Sequence, residues 1–525
     1  MGTLALLGLT ACGDALGVTN YNEPDLERVF ATTANIEAVV AGLGAQLNNP
    51  QRQSESVNTQ SKILAEETFA SVANFGMAAR VANRTGISNE LGNDNQVGNL
   101  NNFNSFQRLA RLSMNALAAF NLRKAEGQNT LTPNAENRMR AFAYMIAGNA
   151  LANISFMYDS GSVVDETIDR ISIPALQPAA AVNARAIEFL DSAVTIAGRG
   201  MSNVSAAAGF PGMSGVVLNQ ADFIRLVRSY RARARAAVAR TPAERAAVNW
   251  ALVIADATNG ITADVVVNVN GLTGWSAQFD AGQIYVTGGW HSIPMKYLGM
   301  ADSSGEYQTW VNTPSSGRRA FLVRTADQRW ATGDTRAAQQ ASTPNNTILP
   351  RYIRNRPTGQ DVVAAGDGES FYDHRRYGQT QANTSVEGPF TELSKTEIDM
   401  LAAEGYIRTG QPALAEPLIN ISRLRNGLPS VVGVGGAGTV PGGAACVPKL
   451  PSGACGTLLE AMKYEKRIET AFTGYGVWFT DSRGWGDLPN NTAIEWPVPY
   501  QEMQARGTPF YNGTRQQPGV STYGF

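Results

Sequence analysis

Phe390-Thr391-Glu392-Leu393-Ser394-Lys395-Thr396-Glu397-Ile398-Asp399-Met400-Leu401-Ala402-Ala403-Glu404-Gly405-Tyr406-Ile407-Arg408-Thr409-Gly410 runs directly into a second segment, Pro412 to Arg425. Apolar residues recur at three- and four-residue intervals in both halves. Gly410 and Pro412 punctuate them as the end of one helix and the start of the next. The stretch therefore predicts two helices folded back on each other. Downstream a further helix is expected from about Leu458 to Phe472, in which Glu465 and Glu469 alternate with Lys463, Lys466 and Arg467. That charge pattern reads as a solvated or structural face and not as a catalytic pair.

Working upstream, Glu23 to Gly260 is a succession of amphipathic helical segments. Leu26, Val29, Phe30, Ile36, Val39, Val40, Leu43 and Leu47 keep helical spacing, as do Phe106, Leu109, Leu112, Leu117 and Phe120. Thr132 and Pro133 open the helix that carries Met139, Phe142, Met145, Ile146 and Leu151. Small residues within it (Ala141, Ala143, Ala147, Gly148, Ala150) allow a neighbouring backbone to come close. Further helices are expected at Pro178 to Ala197, Asn219 to Ala239 and Pro242 to Thr258. Successive helix pairs of this size suggest a TPR-like array, and the pair at 390–425 looks most like a single TPR, although the Trp, Leu-Gly and Tyr positions of the TPR consensus are not matched. Between Gly260 and about Gly388 the rhythm breaks. Val265 to Val269 and Gln283 to Val286 read as short strands, and the remainder is loop-rich in Gly, Asn, Pro, Trp and Tyr. The expected fold class is mainly α, a TPR-like helical array with an irregular insertion containing short strands.

Composition limits the function classes. Of 525 residues, 17% are charged and the formal net charge is −1, so no long-range field draws the chain to nucleic acid. Phe223 to Arg235 is rich in arginine, yet Phe223, Val227, Tyr230, Ala234 and Val238 hold helical register through it, which predicts a core-facing helix with a solvated rim. Only His291 and His374 are present, without metal-ligand spacing, and no metal centre or cofactor is expected. Gly433, Gly435 and Gly438 form a literal G-x-G-x-x-G, but Thr439-Val440-Pro441-Gly442-Gly443 continues as loop where a phosphate-binding turn would open a helix. Cys446 and Cys455 flank a Pro/Gly loop, and outside the cytoplasm such a pair predicts a disulfide.

At the N-terminus, Leu4 to Leu9 is an apolar run followed by Thr10, Ala11 and Cys12. Leu9-Thr10-Ala11-Cys12 resembles the lipobox of bacterial lipoproteins, which implies cleavage before Cys12 and acylation of its thiol. Buried methylenes contribute about 0.8 kcal/mol each, so two or three acyl chains anchor a protein durably. The expected organisation is a lipoprotein signal at 1–12, a tether at 13–22, helices at 23–260, a ligand-binding insertion at 261–388, and C-terminal helices with a docking tail at 389–525, in the same globular unit as 23–260.

Local motifs carry a further resemblance. Ile421-Ser422-Arg423-Leu424-Arg425-Asn426-Gly427-Leu428-Pro429, the helix Leu459 to Phe472, the segment Gly474-Tyr475-Gly476-Val477-Trp478-Phe479-Thr480-Asp481-Ser482-Arg483-Gly484-Trp485-Gly486, and Trp496-Pro497-Val498-Pro499-Tyr500-Gln501-Glu502-Met503 are similar to the C-terminal motifs of the SusD/RagB family. Thr473 stands where that family has Glu before the glycine, and Ser482 replaces an Arg. The resemblance implies a substrate-binding lipoprotein of the outer membrane, facing the cell exterior. Such a protein captures an oligosaccharide or peptide and passes it to a SusC-like TonB-dependent transporter. It also implies that Trp478, Phe479 and Trp485 are structural, docking the C-terminal tail.

Aromatic side chains in the insertion are the expected ligand contacts. Trp290 and Trp310 lead, with Trp275, Tyr285, Tyr307 and His291, because flat rings among Asn, Ser and Asp suit the apolar face and hydroxyls of a sugar. Tyr297 is a further aromatic of the same stretch. Residues 73–103, with Asn74, Arg84, Asn89, Asn93, Asp94, Asn99, Asn101 and Asn102, are the expected second wall. The rival readings are a surface glycoside hydrolase, with Asp280, Asp302 and Glu306 as first suspects, and a self-assembling structural protein.

Overall fold

The computed structural model describes residues 26–70, 84, 86–92, 96–270, 274–276, 290–342, 352–360, 370–377, 388–431 and 438–518. The main helices begin with α1 (Thr33–Ala41), α2 (Leu43–Asn48) and α3 (Val57–Leu64), followed by the short strand β1 (Phe69–Ala70). The long pair α4 (Gln96–Ala125) and α5 (Pro133–Met157) comes next, then a hairpin of β2 (Ser160–Ser162) and β3 (Leu176–Pro178). Helices α6 (Ala179–Ala197), α7 (Gln220–Ala237) and α8 (Trp250–Thr258) continue the array. The insertion carries β4 (Val265–Val269), β5 (His291–Ser292), β6 (Ile353–Asn355), β7 (Tyr372–His374) and β8 (Gly388–Leu393). The chain closes with α9 (Lys395–Arg408), α10 (Pro412–Arg425), α11 (Leu458–Thr470), α12 (Val477–Trp485) and α13 (Tyr500–Ala505).

Each helix of the array packs on its neighbour in order from α4 to α7, and α7 packs on α8. Local chemistry sets the ends: Thr132 accepts the Ala135 N–H at the start of α5, with Pro133 in the first turn, and Asn219 accepts the Asp222 N–H at the start of α7. Glycine permits the closest approaches. A Cβ on Gly148 of α5 would stand 2.8 Å from Leu190 Cγ and 3.0 Å from the Ala186 carbonyl oxygen of α6. A Cβ on Gly405 of α9 would stand 2.6 Å from Ile254 Cγ1 of α8. That second contact joins helices on opposite sides of the insertion, and one hydrophobic core runs through both.

The start of the Phe390 stretch departs from expectation. Residues Gly388 to Leu393 form β8, antiparallel to β4, with Val267 opposite Phe390 and Val269 opposite Gly388; the helix begins only at Lys395. Pro389 has no N–H to give and Phe390 and Thr391 favour a pleated backbone, so the ladder wins locally. The consequence is that the two ends of the insertion are hydrogen-bonded to each other.

The charged face of α11 is structural and buried. Arg329, from the insertion, pairs with Asp327 at 2.6 Å, Glu465 at 3.0 Å and Glu469 at 2.9 Å, all essentially without solvent contact. Tyr464 donates to Asp327, Tyr352 and Asn426 donate to Glu469, and Ser422 donates to Glu465. Burial pushes the Glu469 carboxyl up, but Arg329, Arg376 and Arg425 outweigh it and hold it at about 2. For Glu465 burial wins and the carboxyl is raised. A second buried cluster places Glu404 between Arg245 at 2.5 Å and Arg408 at 2.8 Å. There burial is again outweighed, and Glu404 is held at about 2.

Helix α7 has the core-facing character expected, with Phe223, Leu226, Val227 and Tyr230 buried, but its central arginines are not a solvated rim: Arg233 is buried against Glu397 at 2.7 Å, and Arg231 and Arg235 are mostly covered in pairs with Asp256. Trp478 and Phe479 are buried, Phe479 meets Trp496 edge-on at 5.4 Å, and half-buried Trp485 donates to Glu404 at 3.0 Å. Thr473, where the resembled motif has Glu, is buried and donates to the Thr470 carbonyl at 2.8 Å. Cys446 and Cys455 are joined in a disulfide, with Cα atoms 5.2 Å apart. No described helix is long and apolar enough to cross a membrane. Cys12, the signal and the tether lie outside the described residues, as do Gln283 to Val286 and Gly433 to Gly435.

Candidate ligand-binding face

The segment after α3 and the insertion meet at a two-stranded ladder, β1 with β5, in which Phe69 lies opposite Ser292 and Ala70 opposite His291. Trp290 precedes β5 at this junction. It is half-buried and packs on Ile63 and Ala70. A polar cluster underlies the same junction. Glu66 sits in the left-handed region at φ +56°, a conformation disfavoured for a residue with a side chain. Its carboxylate takes Arg84 at 2.6 Å and Lys296 at 3.3 Å. Burial pushes Glu66 up, yet Lys296 and Arg84 outweigh it and the carboxyl is lowered, while burial lowers Lys296. Arg84 also donates to the Leu64 carbonyl and the Thr492 hydroxyl, tying this edge to the C-terminal tail.

The remaining sequence-predicted rings are corrected by their burial. Trp310 is 5% exposed, stacked on Tyr307 at 5.8 Å with the Arg318 guanidinium 4.3 Å over its ring. Tyr307 and His291 are wholly buried, and Trp275 is 4% exposed beside Gly44 and the Arg52 guanidinium. Tyr297 is also wholly buried, stacked on Trp478 at 4.9 Å. Side chains this buried pack as core residues and present no open face to a sugar, although Trp275 also borders a cavity of about 310 Å³ with Ala45 and Met213. Their Gly, Asn and Ser neighbours indicated turns in the backbone and said nothing about where the rings point. Tyr285 lies outside the described residues. Of the rings expected to meet ligand, Trp290 alone is described and only half-buried.

The second wall is likewise divided. Arg84 belongs to the junction, whereas Asn99 and Asn102 are helical and buried, and Asn89 is buried, donating to the Val498 and Tyr511 carbonyls. Asn101 is on α4, and Asn74, Asn93 and Asp94 lie outside the described residues. Among the carboxylates suspected of hydrolysis, Asp302 is fully buried and accepts from the Ser304 hydroxyl and from the N–H groups of Gly305, Tyr307 and Arg324. It is the anchor of a turn. Glu306 opens a short helix, Glu306–Asn312, on the exposed side of that turn, and Asp280 lies outside the described residues. Sequence reasoning missed Glu66 and Lys296, which carry no motif and meet only through the β1–β5 ladder.

This array of stacked helical hairpins, interrupted by a loop-rich insertion whose ends are zipped together, has the SusD-like fold. The solved structures it is similar to make the class concrete. A SusD-like protein from Bacteroides fragilis NCTC 9343 superposes with a TM-score of 0.56 at 13% identity, over 95% of this chain and 99% of that one. A SusD superfamily protein from Bacteroides thetaiotaomicron VPI-5482 gives 0.55 at 13% identity, over 91% and 97%. A SusD-like carbohydrate binding protein from Bacteroides fragilis NCTC 9343 gives 0.55 at 12%, over 94% and 96%. No protein-family model and no curated protein matches the sequence.

Proposed function

We propose that this chain is a non-enzymatic binding protein of the outer membrane, anchored through acylated Cys12 and facing the cell exterior. It captures an oligosaccharide or other nutrient and delivers it to a SusC-like TonB-dependent transporter. The observation that supports this reading most is the SusD-like fold spanning nearly the whole chain, one neighbour of which is described as carbohydrate binding. At the site, Trp290 offers a half-buried side chain beside a buried Arg84–Glu66–Lys296 cluster that would keep the junction rigid. A rigid platform lowers the ordering cost of binding a flexible glycan. The enzymatic alternative loses support from Asp302, whose oxygens are committed to a turn.

The test is purification from native membranes. The protein should be solubilised only by detergent, incorporate labelled fatty acid at Cys12, lose both properties in Cys12→Ala, and co-elute with a large β-barrel. A glycan array should register binding that falls in Trp290→Ala, with no new products on incubation. A protein that needs no detergent and turns over a glycan would refute the proposal.

A further inference from the structure

A groove of about 660 Å³, formed by α4, the loop between β2 and β3, and α13, is built differently from the Trp290 junction. Asn101, Asn104, Arg108 and Arg111 follow one another at three- and four-residue intervals and so share one face of α4. Arg170 and Ser172 come from the loop, Glu502 from α13, and Arg506 from the residue that caps it.

Two of these arginines hold the groove in shape. Arg111 donates to the Ser172 carbonyl at 2.8 Å and to the carbonyls of Asp169 and Arg170 at 3.3 Å. Arg506 donates to the Pro174 carbonyl and the Ser162 hydroxyl at 2.7 Å and pairs with Glu502. Carbonyl acceptors order Arg111 without cancelling its charge. Arg108 and Arg170 are exposed, and among the described residues neither guanidinium has a hydrogen-bond or ion-pair partner.

Of the loop acids outside the lining, Asp165 is paired with Arg185 and Glu166 accepts from the Tyr144 hydroxyl, while Asp169 accepts from the Ile171 N–H and keeps its charge at the edge of the groove. The lining thus carries Arg108, Arg111, Arg170 and Arg506 against Glu502 alone, on a chain whose formal net charge is −1. Such a local excess focuses an attractive field on anions. Guanidinium groups also match the planar oxygens of a carboxylate or the face of a sulfate through paired N–H donors. The amides of Asn101 and Asn104 and the hydroxyls of Ser105 and Ser172 add the mixed donors and acceptors that sugar hydroxyls need. Ile171 and Ile173, 87% and 67% exposed, give the rim an apolar surface for the C–H face of a ring.

We propose that this groove is a second binding site, selective for oligosaccharides that carry carboxylate or sulfate groups. It stands on the groove alone and does not depend on the Trp290 face or on the transporter.

The experiment is calorimetric titration of the full chain at near-physiological salt with four probes. These are a galacturonate tetramer, a sulfated galactan tetramer, a neutral galactose tetramer and a hexaglutamate peptide. At least one anionic saccharide should bind more tightly than the neutral one. Arg108→Ala and Arg170→Ala should each weaken it about tenfold, since a hydrogen bond to a charged group is worth that much or more. Thermal unfolding should not move in either variant, and Trp290→Ala should leave this binding intact. Binding by only one anionic saccharide supports the site and identifies the group it reads. The proposal is overturned by anionic saccharides that bind no better than the neutral one, by an Arg108→Ala/Arg170→Ala protein that binds as wild type, or by hexaglutamate binding equally well.

Discussion

Replacing Arg329 with Met strips the one buried cation that, among the described residues, touches Asp327, Glu465 and Glu469 together, leaving three carboxylates whose side chains are at most 2% exposed. Removing one partner of a buried ion pair costs about 3–5 kcal/mol, because the remaining charge has lost its compensation and cannot reach water. Three features temper that loss here. Arg376 and Arg425 still face Glu469 and Arg423 still faces Glu465; Tyr464, Tyr352, Asn426 and Ser422 still donate to the carboxylates; and Glu465 is already pushed toward its neutral form. The lower half of the range, about 3 kcal/mol, is therefore expected. Urea denaturation followed by tryptophan fluorescence should show it as a lowered midpoint. Hydrogen exchange should show residues 327–331 opening well before α5 and α6, because Arg329 fastens the insertion to α11. Arg185→Ala is the control. Its pairs with Asp165 and Glu188 are partly open to solvent and should cost about 1 kcal/mol or less. If the two variants fall within experimental error of each other, the network does not fasten the insertion and the reasoning fails.

Trp310→Ala should destabilise the fold by about 3–5 kcal/mol as a core truncation, while Trp290→Ala should leave the unfolding midpoint nearly unchanged and weaken glycan binding. The reverse pattern in paired melting and binding assays would mean the burial reading is wrong. Gly148→Val should lower stability by about 1–3 kcal/mol or more through its clash with Leu190 and Ala186, measured by calorimetry against Gly127→Val, whose Cβ would meet nothing within 4 Å but whose φ of +75° is its own cost. Acid titration should remove stability between about pH 5 and pH 2. Glu404 and Glu469 have folded-state values depressed to about 2, so their contribution is present above the unfolded carboxylate range and lost as pH falls through the folded one. Glu404→Gln should flatten that acid limb in a circular-dichroism titration. Thiol titration of the folded protein should find Cys446 and Cys455 unreactive, and Cys455→Ser should cost roughly 2–3 kcal/mol for a loop of this length.

The helices were legible because their information is local: a 3.6-residue period, Thr132 and Pro133 at one start, and Gly410 between α9 and α10 mark elements that neighbouring residues alone decide. Small residues at Gly148 announced a close helix contact without saying which helix would fill it. The motifs from Ile421 to Met503 were readable for the same reason, since each sits within one or two adjacent elements.

The tertiary structure alone decided which rings of the insertion are accessible. Trp290 and Trp310 have similar polar flanks, yet one lies half-buried on Ile63 and Ala70 while the other is closed between Tyr307 and Arg318. It also decided that Phe390 pairs with Val267 across the whole insertion, that Arg329 meets Glu469, and that Arg84 and Lys296 converge on Glu66. Helix period and capping act over a few residues and are written in order along the chain. Burial and ion pairing depend on which distant surfaces come together, and that follows from the packing of the whole molecule.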